Sequence, residues 1–199
     1  TAGMAEILVE TDFVARNEKF LSFGDAVARR IVTGYTEDGE ISAKVAEAEK
    51  AALTALIATI GENMQLRRAV RWQGAGPVAS YLHMGGKIGV LLEVEGPVEN
   101  PELLTDVCMH VAAFNPRFIK PENVPASVLA SEREIARAQV QGKPEKIIEK
   151  IVDGKIVKWY TDVCLMLQPW LRDDKTCLAK VAPKLVVRRF LRWQIGEEL

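Results

Sequence analysis

The side chains able to hold a metal or act as nucleophiles are few and scattered. His83 and His110 are the two histidines, and Cys108, Cys164 and Cys177 are the three cysteines. They form no CxxC pair and no His-based cluster, so neither a zinc site nor a disulfide framework is expected. GxSxG, HExxH and GxxxxGK[ST] are all missing from the sequence, and no nucleophile-and-base constellation supports a hydrolase or transferase. The pair Gly85-Gly86 in YLHMGGKIGV lies between two strand-like runs and reads as a hairpin turn, not a phosphate loop. The unusual chemistry lies in TDFVARNEKF (11–20). There Asp12 is followed at once by Phe13 and Val14, before any helical period has settled. An acid beside a large ring at an element's first turn has two readings. Phe13 is a hydrophobic staple against the next helix, or it is an anchor presented to another molecule.

These residues sit in a chain of 199 residues, enough for one large domain or two small ones with real cores. Lys and Arg number 26 against 27 Asp and Glu, a net charge of −1, so no basic field argues for nucleic acid or an anionic membrane. The longest apolar runs, such as VLLEV at 90–94, are strand-sized and too short to span a bilayer. Nothing at the start has the layout of a signal peptide. With scattered free cysteines, a reducing compartment is expected. Composition therefore leans towards a binding protein and away from an enzyme.

Phe20, Phe23, Val27 and Ile31 recur at spacings of three and four, one helix face ending near Gly34. Ile41, Val45, Leu53, Leu56 and Ile60 continue as a second amphipathic helix. From Met64 the period changes to two, with Met64, Leu66, Val70 and Trp72 on one side of a strand and Gln65, Arg67 and Arg71 on the other. A hairpin over 77–95 follows. Asn100 is then a good N-cap, Pro101 suits the first helical position, and the stripe Leu103, Val107, Val111 carries a helix towards Pro116.

LRRAVRWQ (66–73) and VRRFLRWQ (187–194) match at five of eight positions, 121 residues apart. Upstream, EILVE (6–10) aligns with GVLLE (89–93) at an offset of 83. Both halves read as strand, helix, helix, strand, a duplicated α+β unit whose second copy is longer by 38 residues (121 − 83). The surplus falls at 142–181. Gly142 ends one helix there, and Pro144 opens another with the stripe Ile147, Ile148, Ile151, Val152, Ile156 and Trp159. A projecting helical arm, its stripe shielded by the return segment around 165–170 or by a partner chain, fits this insertion. A buried core helix fits the periodicity equally. Arg67-Arg68 and Arg188-Arg189 fall at equivalent places in the two copies, which points to a structural role.

Six segments then occur in one order: ETDFVARNEKF (10–20), IGENMQLRR (60–68), YLHMGGKIGVLLEV (81–94), MHVAAFNPRFIKPENVP (109–125), GKPEKIIEKIVDGK (142–155) and VVRRFLRW (186–193). Together they resemble the translation elongation factor Ts family of bacteria and organelles, over nearly the whole chain. The resemblance implies an α+β fold of two similar lobes, each an antiparallel sheet backed by helices, with an inserted helical coiled-coil arm. On that plan 1–98 is the N-lobe, 99–141 the first part of the C-lobe, 142–180 the arm and 181–199 the last strand of the C-lobe. It also implies a guanine-nucleotide exchange factor that binds elongation factor Tu and promotes GDP release, without cofactor or metal of its own. Asp12 and Phe13 become the pair pushed into the GTPase, Asp12 disturbing the network around the nucleotide's Mg²⁺ and Phe13 wedging between partner side chains. Thr11, Val14, Ile60, Gly61 and His110 become secondary partner contacts. The residues alone allow His110 to be a packing histidine and Gly61 a left-handed helix end.

The resemblance starts near the TDFV motif, so the family's small N-terminal helical domain is expected to be lacking here. Other departures are Leu8-Val9 in place of a polar pair, LMLQPW at 165–170 and RWQIG at 192–196. The expected setting is the cytoplasm, or an organellar stroma or matrix, with no direct nucleic acid or membrane contact. A second reading keeps the same core as a structural subunit that binds its partner, or a second copy as a homodimer, without driving exchange.

Overall fold

β1 (Ala2–Val9) opens the chain and leads through the TDFV turn into α1 (Glu18–Gly34). A computed structural model describes residues 1–98, 100–140 and 144–198. α1 starts where Asn17 accepts a hydrogen bond from the Lys19 amide at 2.9 Å, with Glu18 at the positive end of the dipole. β2 (Gly39–Glu40) is followed by α2 (Ser42–Ile60), which ends on Gly61 in the left-handed conformation at φ 85°. β3 (Met64–Trp72) returns between β1 and β2, and the three make an antiparallel sheet.

β4 (Val78–His83) and β5 (Ile88–Glu95) form the expected hairpin. α3 (Pro101–Phe114) follows, opened by Asn100 and Pro101 as read from the sequence. Next come α4 (Ala126–Ala138), α5 (Glu145–Val163), the short pair β6 (Pro169–Trp170) and β7 (Asp173–Cys177), α6 (Leu178–Val181) and β8 (Val186–Gln194). β8 joins β5 to complete a second antiparallel sheet, ordered β4-β5-β8. The fold is thus a mixture of helices and antiparallel sheets, the α+β class. Gly142, expected to end a helix, lies outside the described residues.

The two sheets stack. On the outer face of the first, Val27 and Ile31 of α1 and Val45 of α2 cover Leu66 and Ala69. Between the sheets lie Met4, Val70, Trp72 and Leu91. On the far face of the second, Val90, Leu92 and Val94 meet Leu104, Val107 and Val111 of α3, with Leu165, Trp170 and Leu178. β5 is therefore buried on both faces, which is why IGVLLEV reads as a continuous apolar run. The sheets come so close at Gly89 that a Cβ there would lie 2.4 Å from Met4 Sδ.

Register corrects two expectations. In the first sheet Glu6 pairs with Arg68 but Ile7 pairs with Leu66, leaving Arg67 as an extra residue. In the second, Glu93 pairs with Arg189 and Val94 with Val187, leaving Arg188 extra. Both are β-bulges, in which two residues oppose one. The structural equivalent of Glu6 is therefore Glu93, an offset of 87 (93 − 6), not 83, and the surplus becomes 34 residues (121 − 87). The bulge also reverses side-chain alternation. Leu66 faces the helices while Val70 and Trp72 face the second sheet, so the four apolar residues of β3 do not share one side.

The arm region differs in a related way. Val152, Ile156 and Ile148 of α5 pack on Ala136 and Leu129 of α4, not on the return segment. Arg133 pairs with Glu149 at 3.1 Å and with Asp153 at 2.8 Å, and Arg137 also pairs with Glu149. Leu165 and Trp170, read as the shield, instead belong to the core beneath β5. Periodicity locates an apolar face without saying which element covers it, and the face of α4, with Leu129 and Ala136 in the cluster, is too small to announce itself.

Candidate functional site

The TDFV turn is built from its own side chains. Thr11 uses its carbonyl to accept the Ala15 amide at 3.2 Å and its Oγ1 to accept the Val14 amide at 3.3 Å. Val14–Arg16 is a single 3-10 turn, closed by the Arg16 amide on the Phe13 carbonyl at 3.2 Å. Val14 is buried and pins the turn to the molecule, while Phe13 is 89% exposed. Because Asn17 is the N-cap of α1, the staple position before the cap belongs to Arg16. An uncovered ring at Phe13 cannot be a staple.

Three side-chain tethers hold the turn. Thr11 Oγ1 donates to Glu62, with oxygens at 2.8 and 3.1 Å. Asn63 Nδ2 donates to Glu10 Oε1 at 2.8 Å. Both come from the turn after α2, so the half-buried Ile60 and the exposed Gly61 stand in the same neighbourhood as Thr11, Asp12, Phe13 and Val14. The third tether comes from the second sheet: Lys87 Nζ lies 3.1 Å from Asp12 Oδ1 and 3.4 Å from Oδ2. An acid and a ring are thus presented side by side at a protruding tip. Among the described residues no group of three or more His, Cys, Asp or Glu side chains is arranged to hold a metal.

His110 is not brought to this site. It lies in α3 with none of its surface exposed. Its ring is stacked on Phe114 at 4.6 Å and on Trp170 at 5.1 Å between centroids. Gln168 Nε2 donates to the carbonyls of Asp162 at 2.8 Å and Phe114 at 3.3 Å. Its Oε1 is therefore the acceptor, and His110 Nε2, 3.0 Å away, carries the proton. Burial pushes the His110 pKa below its ordinary value, opposed by the Gln168 bond. A neutral packing histidine is what the fold contains. With none of its surface exposed in the free chain, it would reach a partner only after a rearrangement around Phe114 and Trp170.

Glu62 and Lys87 were missed from the sequence, although each lies in a segment that carries the resemblance. They touch the motif from 51 and 75 residues away, and no local period connects residues so far apart.

The family model described as "Elongation factor TS" matches residues 10–197. Among curated relatives, an elongation factor Ts of Clostridium botulinum (strain Alaska E43 / Type E3) is 43% identical, over 99% of this chain and 71% of the relative. One of Nitratidesulfovibrio vulgaris (strain DP4) is 38% identical, over 100% of this chain and 73% of the relative. One of Protochlamydia amoebophila is 34% identical, over 99% and 76%. With this coverage, and with the TDFV turn standing out from a two-sheet α+β fold, the chain belongs to the elongation factor Ts family.

Proposed function

We propose that the Asp12–Phe13 tip is the part of this chain that enters elongation factor Tu and loosens its nucleotide. As a family member the chain serves translation elongation as a guanine-nucleotide exchange factor for that GTPase, and not as a catalyst of bond chemistry. The observation that carries the site is the 89% exposure of Phe13 beside a tethered carboxylate. A rigid aromatic that the described residues leave uncovered is suited to be an interface anchor. Asp12 at its side brings negative charge to the Mg²⁺ that bridges the nucleotide phosphates, and Ile60 and Gly61 flank the tip.

The finer architecture is part of the same reading. In this reading the two stacked sheets are the two lobes, which moves their boundary from 98 back to the link between β3 and β4. α4 with α5 is the helical coiled-coil arm, which then starts at Ala126 and not at 142. No described helix is long and apolar enough to cross a membrane, and action in the compartment of translation, the cytoplasm or an organellar matrix, follows from the role.

If Asp12 acts through the Mg²⁺ network, Asp12→Ala slows stimulated GDP release at millimolar Mg²⁺, and the deficit shrinks as Mg²⁺ is chelated. Fluorescent-GDP release from elongation factor Tu across a Mg²⁺ titration measures this. An identical deficit at every Mg²⁺ concentration removes the metal from the account.

A further inference from the structure

The hairpin between β4 and β5 has an unusual turn. Met84, Gly85 and Gly86 all have positive φ, at 51°, 66° and 92°. Two glycines take that conformation freely, but Met84 does not, and its side chain is 64% exposed. Backbone strain at an exposed position, with no packing gained, is a mark of functional segments. What the curl achieves is visible at its end: the ammonium of Lys87 is placed on Asp12.

The pair contributes little to folding. Lys87 and Asp12 side chains are 56% and 69% exposed, and ion pairs so open to water are weak. Its effect is on orientation. Thr11 and Glu10 are held by Glu62 and Asn63 from the turn that leads into the first sheet's β3, whereas the Asp12 carboxylate has Lys87 as its one ion-pair partner among the described residues. Fixing a carboxylate before it enters a partner removes an ordering cost from the bound state.

We propose that Lys87 is a positioning residue for nucleotide exchange: it holds the Asp12 carboxylate in the orientation with which the tip enters the GTPase. This makes the tip a composite of both sheets, and it rests on the reading of Asp12 and Phe13 as the inserted pair. Lys87 is assigned no contact with nucleotide.

A double-mutant cycle tests it, with wild type, Lys87→Met, Asp12→Asn and the double variant, plus Lys87→Arg. Maximal rate and half-saturation for stimulated GDP release from elongation factor Tu are read alongside melting temperature. Lys87→Met lowers the maximal rate about twofold to fivefold, the range an exposed ion pair is worth, with the melting temperature unchanged. In the Asp12→Asn background the same change has no further effect, and Lys87→Arg restores most of the rate. The inference is overturned if Lys87→Met releases GDP as fast as wild type while Asp12→Asn is slow. It is equally overturned if the Lys87→Met deficit persists in full without Asp12, or tracks a fall in melting temperature. An Asp12→Asn protein with wild-type exchange sinks the inserted-pair reading, and this one with it.

Discussion

At Phe13 the ring meets water on nearly every side, whereas His110 is sealed between Phe114 and Trp170. The backbone explains the contrast. Phe13 precedes a turn pinned by Val14, so its Cα–Cβ bond leaves the molecule. His110 lies one position from the Val107 and Val111 stripe, which turns it under the return segment, where Gln168 satisfies its one N–H. The second nitrogen, Nδ1, has no hydrogen-bond partner, so protonation would create a buried cation without an acceptor. A histidine with its pKa held below the usual 6.5 stays neutral in the fold while the unfolded chain takes up a proton. Stability is then intact above about pH 6.5 and falls as the pH drops below it. His110→Gln lacks this dependence. Its melting temperature is lower than wild type at pH 7.5, and the gap narrows at pH 5.5. A gap of the same size at both values contradicts a buried neutral His110.

The recurring Arg-Arg dipeptide marks an element-scale device. At each bulge two successive arginines reach one buried glutamate. Arg68 Nε is 2.5 Å and Arg67 Nη1 3.3 Å from Glu6. Arg189 Nε is 2.6 Å and Arg188 Nε 3.7 Å from Glu93. Glu93 is fully buried, and removing its nearest cation leaves a charge in a dry setting. Arg189→Ala is therefore expected to cost about 3 kcal/mol or more. Arg188→Ala, at a half-exposed side chain, costs about 1 kcal/mol or less. Urea unfolding of both variants checks this, and equal losses contradict it. At this scale much was legible beforehand. Asn100 and Pro101 announced α3, Gly61 ended α2, and Gly85-Gly86 closed a hairpin. The strand offset was misread by four residues because EILVE and GVLLE are both apolar runs, and such a run carries no register. The partner of Glu6 had to come from the bulge. The same limit hid the packing of α5 on α4. At the site, the motif residues were legible as a string, but Glu62 and Lys87 come into it only through the meeting of three turns.

Across the molecule the two sheets are interlocked by an exchange of side chains. The Arg68 guanidinium of the first sheet lies 4.4 Å from the ring centre of Trp193 in the second, and Arg189 of the second lies 4.4 Å from that of Trp72 in the first. These are equivalent residues of the two copies, so each sheet lends a cation to the other's tryptophan. Met4 and Leu91 fill the layer between them. Two sheets locked together in this way suit the proposed insertion of the Asp12–Phe13 tip into a partner. Exchange is reciprocal: whatever weakens nucleotide binding is itself weakened by nucleotide. For GDP held at roughly nanomolar affinity, about 12 kcal/mol must be matched by the nucleotide-free complex. That calls for an interface on the order of 2,000 Å², more than one small domain can present.

The central claim is that Phe13 serves the partner and not the fold, and it is tested most directly by measuring Phe13→Ala twice, for melting and for stimulated release of labelled GDP from elongation factor Tu. Truncating a ring that is 89% exposed opens no cavity, so the melting temperature stays within about 2 °C of wild type. Losing an anchor of about 2 kcal/mol slows release by about thirtyfold at subsaturating factor. A Phe13→Ala protein that melts several degrees lower yet drives exchange at the wild-type rate contradicts the account and returns the ring to the core.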